Sequence, residues 1–443
     1  MTYHNYRTSN YPHKNTENNL ADQVVKKPLS YPGFVYTLFY IFSAYLVIPI
    51  YEVPLLGLSI SAPLFFIITV PCLLKPPQPW FRTYSRWITL AVLFWVGIFI
   101  STIGNGILSQ GTQINRDGII TLVRYVYWLI VFVITAYFAS QEVVFQKLTK
   151  ILGWAVLALA LLRWFEGFAY SKIGAGTRTE FFTQNSYGSL FSIFSPYLLL
   201  MILQEKGWKR LLAIGGNFLL WSAALINGSR GSWVSIAMGI LVSLTLLFIS
   251  KPRKFAGLFS AMMLVAIGLF LIWNLAPQIS EPIQDRLDTF QSLEEDRSYE
   301  FRKIMVQKGL IIFKQNPLIG IGAGRFTKTS VDLELTGMFA GQGSAGYFTT
   351  QSAHNSYIVV LAEFGLVGSL PFGILLLSLS IGGLKSTFGF LRDEKLYYLP
   401  IFISLVQMST HYWVVASLTN TGTWFVYGLC AAAIMLYKEK VKN

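Results

Sequence analysis

Charge is scarce in this sequence. Of its 443 residues only 13% are Asp, Glu, Lys or Arg, against roughly 25% in soluble domains. A chain so poor in charge lacks the surface chemistry of an ordinary soluble domain. Cysteine is rarer still: Cys72 and Cys430 are the only two, both inside apolar runs, so no disulfide or cysteine metal framework is implied. Of four histidines, His4 and His13 lie in a polar N-terminal stretch. That leaves His354 and His411 as the imidazoles available to an embedded site. Strict alternation at period two is absent, which argues against a transmembrane β-barrel. Residues 1–30 are rich in Asn, Thr, Tyr and Lys and lack the apolar core of a signal peptide. They read as a disordered cytoplasmic extension.

Apolar residues fill the gap. The chain is 53% hydrophobic and 16% aromatic, with mean hydropathy +0.51. Apolar runs of about 17–25 residues, the length that crosses a bilayer, recur from Phe34 to Tyr437. They predict an all-α polytopic membrane protein of about twelve spans, near 34–50, 54–74, 87–104, 118–139, 151–170, 186–204, 211–227, 232–250, 255–275, 356–381, 397–418 and 420–437. Transmembrane helices 1–9 thus fall within 31–275, and helices 10–12 with a short cytoplasmic C-terminus within 354–443. Lys and Arg cluster in every second connection, around Arg82, Lys147, Lys209, Arg253, Lys385 and Lys438. By the positive-inside rule those connections and both termini are cytoplasmic. The net charge of +14 then reflects topology and anionic lipid, and is no sign of nucleic-acid binding. Trp80, Trp87, Trp208 and Trp413 read most simply as interfacial belts.

One connection, 276–353, is long and falls outside. Its stretch Asp296 to Lys314 has the periodicity of an amphipathic helix, with Phe301, Ile304, Met305, Leu310, Ile311 and Ile312 as apolar contacts. Asn316-Pro317 ends that helix, and the glycines of NPLIGIGAGRF permit tight turns. Arginines on this side run against the positive-inside trend. Arg230 in SRGSW, Arg178 near Asn185, Arg302 in the loop helix and Arg325 in the glycine turn all lie there. Arginine holds phosphate oxygens with a planar fork and does not deprotonate. Pairing with a loop carboxylate or a lipid phosphate would also account for each of them. Then AHNSYIVVLAEFGLVGSLPF places His354 and Asn355 where a span begins. An imidazole there suits proton transfer at a membrane surface, or a helix cap. Arg124, Arg163 and Glu363 lie within predicted spans; intramembrane charge is costly and marks either function or helix pairing. His411 reads as a hydrogen-bonded bundle histidine.

Taken in order around one long outside loop, SRGSW, NPLIGIGAGRF and AHNSYIVVLAEFGLVGSL resemble the O-antigen ligase and polymerase family, most closely over about 226–372. FRKIMVQKGLIIFKQNPLIGIG fits the family's loop helix, with Arg302 at its arginine position. One departure is visible: a position just after that arginine, usually tryptophan, is aliphatic here, at Ile304 and Met305. The resemblance implies a GT-C-like glycosyltransferase on the outer face of the cytoplasmic membrane. Its donor would be a glycan on polyprenyl pyrophosphate. Its acceptor would be a sugar hydroxyl, on a lipid A core or on another lipid-linked unit. His354 would be the base, and Arg178, Arg230 and Arg302 would hold the pyrophosphate. Asn185, Arg325 and Asn355 would be further substrate contacts. No cofactor and no metal are expected, since no DxD-like acidic triplet occurs in the spans. A transporter or flippase of lipid-linked polysaccharide, or transfer of glycan to another cell-surface acceptor, are the rival readings.

Overall fold

The computed structural model describes residues 33–48, 52–53, 58–59, 65–70, 78–108, 116–169, 184–288, 296–333, 339, 351–415, 418 and 420–442. Arg178, Cys72 and the tail 1–30 lie outside the described residues. The first half comprises α1 (Gly33–Val47), α2 (Gln78–Leu108), α3 (Arg116–Phe138), α4 (Glu142–Ala169), α5 (Gln184–Gln204), α6 (Gly207–Asn227), α7 (Arg230–Ser250) and α8 (Pro252–Leu275). The long connection contributes α9 (Pro277–Asp288) and α10 (Arg297–Gln315). The chain closes with α11 (Ser356–Arg392), α12 (Leu399–His411) and α13 (Thr421–Lys442). Among the described residues, 8 helices are long and apolar enough to cross a membrane; these are α2–α8 and α11. The all-α polytopic architecture is as expected.

Of the remaining expected spans, 34–50 and 420–437 are the helices α1 and α13, and the other two come out differently. A two-residue antiparallel ladder, β1 (Glu52–Val53) on β2 (Leu58–Ser59), interrupts 54–74. The sequence puts Pro54 and Gly57 between the strands, both poor in a helix interior. The run 397–418 shrinks to α12, of 13 residues. Beyond His411 the backbone leaves the helix, and its carbonyls serve the start of α11. Ser356 donates its N–H to the Tyr412 carbonyl (2.9 Å) and its hydroxyl to the Val415 carbonyl (2.9 Å). Trp87 is no interfacial belt: it is buried, and its Nε1 donates to Ser378 Oγ at 2.8 Å. Trp208 and Trp413 stand exposed.

α5 and α13 form the centre of the bundle. The apolar stretch of α5 is 94% buried, whereas that of α8, on the outside, is 17% buried. Ion pairs Lys150–Glu205, Lys251–Glu394, Lys395–Glu142 and Lys440–Asp393 gather at one end. The opposite ends of the same helices carry the start of α5, the α6–α7 turn and the start of α11.

α11 is broken at Gly365 (φ 56°, ψ −157°). Non-helical backbone at membrane depth must have its polar groups satisfied by protein, and here residues 317–322 do it. Ile321 and Gly322 donate their N–H groups to the Ala362 and Glu363 carbonyls (3.1 and 2.9 Å). Leu366 and Val367 donate theirs to the Pro317 and Leu318 carbonyls (2.9 and 3.0 Å). The approach requires glycine on both sides. A Cβ on Gly320 would lie 2.4 Å from the Glu363 oxygen, and one on Gly365 would lie 2.5 Å from the Leu318 oxygen.

Candidate active site

The site starts from a two-residue turn. α6 ends in Gly228, left-handed at φ 68°, and Ser229 opens α7 at once, so Arg230 is the first residue of a 21-residue helix. The positive end of that helix dipole, joined by a guanidinium, favours an anion. Across from it, Asp296 caps α10 by accepting the Ser298 N–H (2.9 Å) and forms an ion pair with Arg230. The cap orients Ser298, Phe301 and Arg302 on the first turns of α10. His354 approaches from the third side. Its φ of 47° is uncommon for a non-glycine residue. It turns the imidazole toward α10, where the Phe301 ring meets it edge-on at 6.5 Å.

These elements enclose a cavity of about 330 Å³, lined by Gln184 and Asn185 of α5, residues 228–231, Ser298, Phe301 and Arg302 of α10, His354, and Val414 with Val415. It holds two arginines and one imidazole, and Asp296 is paired with the first of these arginines, Arg230. Burial lowers the Arg302 pKa and Arg230 lowers it further, while Asp296 opposes the shift. Burial, then the Arg302 charge, hold the His354 imidazole below its ordinary value. Burial alone would raise the Asp296 carboxyl, but hydrogen bonds from Arg230 and from the Ser298 N–H bring it below the usual range. A neutral imidazole beside cationic guanidinium groups can take a proton while the cations hold an anion.

Of the residues singled out in the sequence, Asn185, Arg230, Arg302 and His354 come together in this cavity. Arg325 and Asn355 are not among its described lining. Asn355 caps α11, its Oδ1 accepting the Ile358 N–H at 3.1 Å. Arg325 lies in the glycine turn, where burial lowers its pKa. His411 is buried one layer below the cavity, its Nε2 3.1 Å from Ser189 Oγ. Among the described residues no three His, Cys, Asp or Glu side chains gather as a metal site would need. Sequence reasoning missed the start of α7, Ser298 and Val414–Val415. For the first a signal existed: Gly228-Ser229 pairs the two residue types that end one helix and begin the next. The valines carry none.

Residues 215–373 match the family described as O-antigen ligase. No curated protein matches the chain. The matched stretch includes Arg230, Arg302, Arg325, His354 and Asn355, and excludes Arg178 and Asn185. Residues 215–373 are thus similar to the family that the three motifs resemble, in a chain with several helices long and apolar enough to cross a membrane.

Proposed function

We propose that the protein moves a glycan from polyprenyl pyrophosphate to an acceptor sugar hydroxyl at the outer face of the cytoplasmic membrane. The observation that carries this is the convergence of Arg230, Arg302 and His354 on one cavity at the membrane-surface end of the bundle. His354 takes the proton of the acceptor hydroxyl as its oxygen attacks the anomeric carbon. The bond from that carbon to the phosphate oxygen breaks, and the pyrophosphate departs with the electron pair. Arg230, Arg302 and the start of α7 neutralise the charge it gains, with Arg178 a further candidate from outside the described residues. Direct displacement inverts the anomeric carbon. Asn185 lies within reach of either sugar. The donor's isoprenoid tail stays in the surrounding lipid, so membrane lipid is the solvent of half the substrate. The acceptor is a lipid A core in a ligase, or another lipid-linked unit in a polymerase.

One observation speaks to the transporter reading. Transporters bind substrates at interrupted helices, and α11 is interrupted at Gly365. Here residues 317–322 occupy the exposed backbone groups of the break, which favours the enzymatic reading. The test is transfer by the purified protein in liposomes, given lipid-linked glycan and each acceptor in turn. Release of polyprenyl pyrophosphate in step with transfer, unchanged by EDTA, is expected. Transbilayer movement of donor without transfer would overturn the proposal. Transfer abolished by EDTA and restored by magnesium would overturn the role given to the arginines.

A further inference from the structure

Glu363 takes no part in the cavity, yet it is 6% exposed inside a membrane-spanning helix. Burying a carboxylate is costly unless hydrogen bonds repay it. Glu363 Oε2 accepts the Gly324 N–H at 3.1 Å and Oε1 the Phe326 N–H at 2.9 Å, and the Arg325 N–H also points to the carboxylate. The turn 324–326 is thereby hung on α11, one residue pair above the Gly365 break. The same turn is tied to α10. Lys308, fully buried, donates Nζ to the Phe326 carbonyl at 2.8 Å and lies 4.8 Å from the Phe326 ring centre. Burial lowers its pKa to about 8. Two helices therefore meet at one turn. α10 carries Arg302 less than two turns before Lys308, and the first segment of α11 leads back from Glu363 to His354.

We propose that Glu363 is a positioning residue: through turn 324–326 it fixes α10 against the start of α11 and so sets the spacing of Arg302 and His354 across the cavity. The reading rests on the transfer reaction proposed above, in which those two residues act on opposite ends of the breaking and forming bonds. Misplacement by about 1 Å is enough to cost roughly 100-fold in rate.

Three variants and one distance test it. Glu363→Ala orphans three N–H groups and frees the turn; its kcat should fall about 10–100-fold with the donor KM nearly unchanged. Glu363→Gln keeps one acceptor oxygen and should fall between Glu363→Ala and the wild type. The third variant bypasses the carboxylate. A Cβ on Gly309 would lie 3.6 Å from the Ile358 Cβ, within the range for a disulfide of about 3.5–4.5 Å. In a background with Cys72 and Cys430 replaced by alanine, Gly309→Cys with Ile358→Cys should restore much of the Glu363→Ala kcat when oxidised and lose it on reduction. Spin labels at Lys303 and Leu370, both exposed, read the position of α10 without reference to activity. Glu363→Ala should shift or broaden their distance distribution, and Glu363→Gln should do so less. A wild-type kcat in Glu363→Ala, a tether that forms fully and rescues nothing, or an unchanged distance distribution would each overturn the inference. If Glu363→Ala does not insert, the Gln variant decides by the same two readouts. A wild-type protein without transferase activity would sink the proposed reaction, and the distance measurement would still judge the positioning.

Discussion

The two walls of the cavity are built from different materials. The wall of α5, α6 and α7 is held from behind by buried side chains. Arg163 of α4 donates Nε to Asn227 Oδ1 (3.3 Å) and Nη2 to the Ile226 carbonyl (3.4 Å) at the end of α6. Asn227 in turn donates to the Gln184 carbonyl at the start of α5 (2.9 Å), and Tyr187 donates its hydroxyl to Glu166 (2.7 Å). Arg163 is 1% exposed and Glu166 is fully buried. The wall of α10 and α11 is held by main chain laid on main chain across the Gly365 break, with one carboxylate at its edge. The first wall depends on the identity of charged side chains; the second depends on glycines that let backbones touch. The wall carrying Arg230 should therefore fail through electrostatics, and the wall carrying His354 and Arg302 through geometry.

The largest expected effect breaks the first wall. Arg163→Met leaves the Glu166 charge buried without its cation and removes the hydrogen bonds at Asn227 and Ile226. Losing one partner of a buried charged network costs about 3–5 kcal/mol, whereas removing both charges is often close to neutral. Arg163→Met should markedly lower the thermal unfolding midpoint in detergent. Arg163→Met with Glu166→Gln should recover most of it, because glutamine can still accept from Tyr187. A double variant no more stable than the single one would mean that the wall is not held by charge.

The next effect strikes the second wall at its chemical end. His354→Ala removes the proposed base and should slow transfer about 100-fold or more, with unfolding midpoint and donor binding retained. The same change at His411, buried against Ser189, should lower stability and leave the chemical step in place. Equal rate losses in the two would remove the reason to prefer His354. Smaller effects compare the two walls directly. Arg302→Lys keeps charge and loses the fork, and roughly tenfold or more should go from kcat/KM. Arg230→Lys should cost less, because part of that fork already binds Asp296. Reversal of that order, read from single-turnover kinetics, would make the α7 side the main pyrophosphate holder.

The sequence carried much of this, unevenly. The loop helix expected over 296–314 is α10, Arg297–Gln315, with Ile304, Met305 and Ile312 buried as the periodicity required; Leu310 faces out. Arginine placement against the charge gradient pointed to Arg230 and Arg302, because such a placement is costly without a role. The break at Gly365 was not legible: apart from Glu363 the stretch LAEFGLVG is apolar, and one glycine in a span does not announce a turn. The segment that satisfies the break, the turn at 317–322, lies far earlier in the chain. For Glu363 the sequence left function and helix pairing open; its carboxylate accepts backbone N–H groups, which no side-chain pattern encodes. α9 was missed although Pro277 at its first position is a start signal. α12 was drawn too long because the run YWVVASL, 412–418, stays largely apolar after the helix has ended at His411.

The smallest effect is a shift in pH dependence, and it sharpens the comparison because it reads one wall through the other. A general base must be neutral to act, so the rate falls as pH drops through the His354 pKa. Burial and the Arg302 charge hold that pKa below the ordinary imidazole value, about 6.5. The acid limb of kcat/KM should therefore lie below that pH in the wild type. Arg302→Gln removes the charge and leaves the burial. A proton then binds His354 more readily, and the acid limb should move upward, on top of the drop in rate. Cation removal at Arg163, which touches the other wall, should leave the limb where it is. The measurement is kcat/KM against pH from about 4.5 to 8 for the three proteins. A limb that stays fixed in Arg302→Gln, or moves down, would show that the group titrating in the free enzyme is not an imidazole facing Arg302.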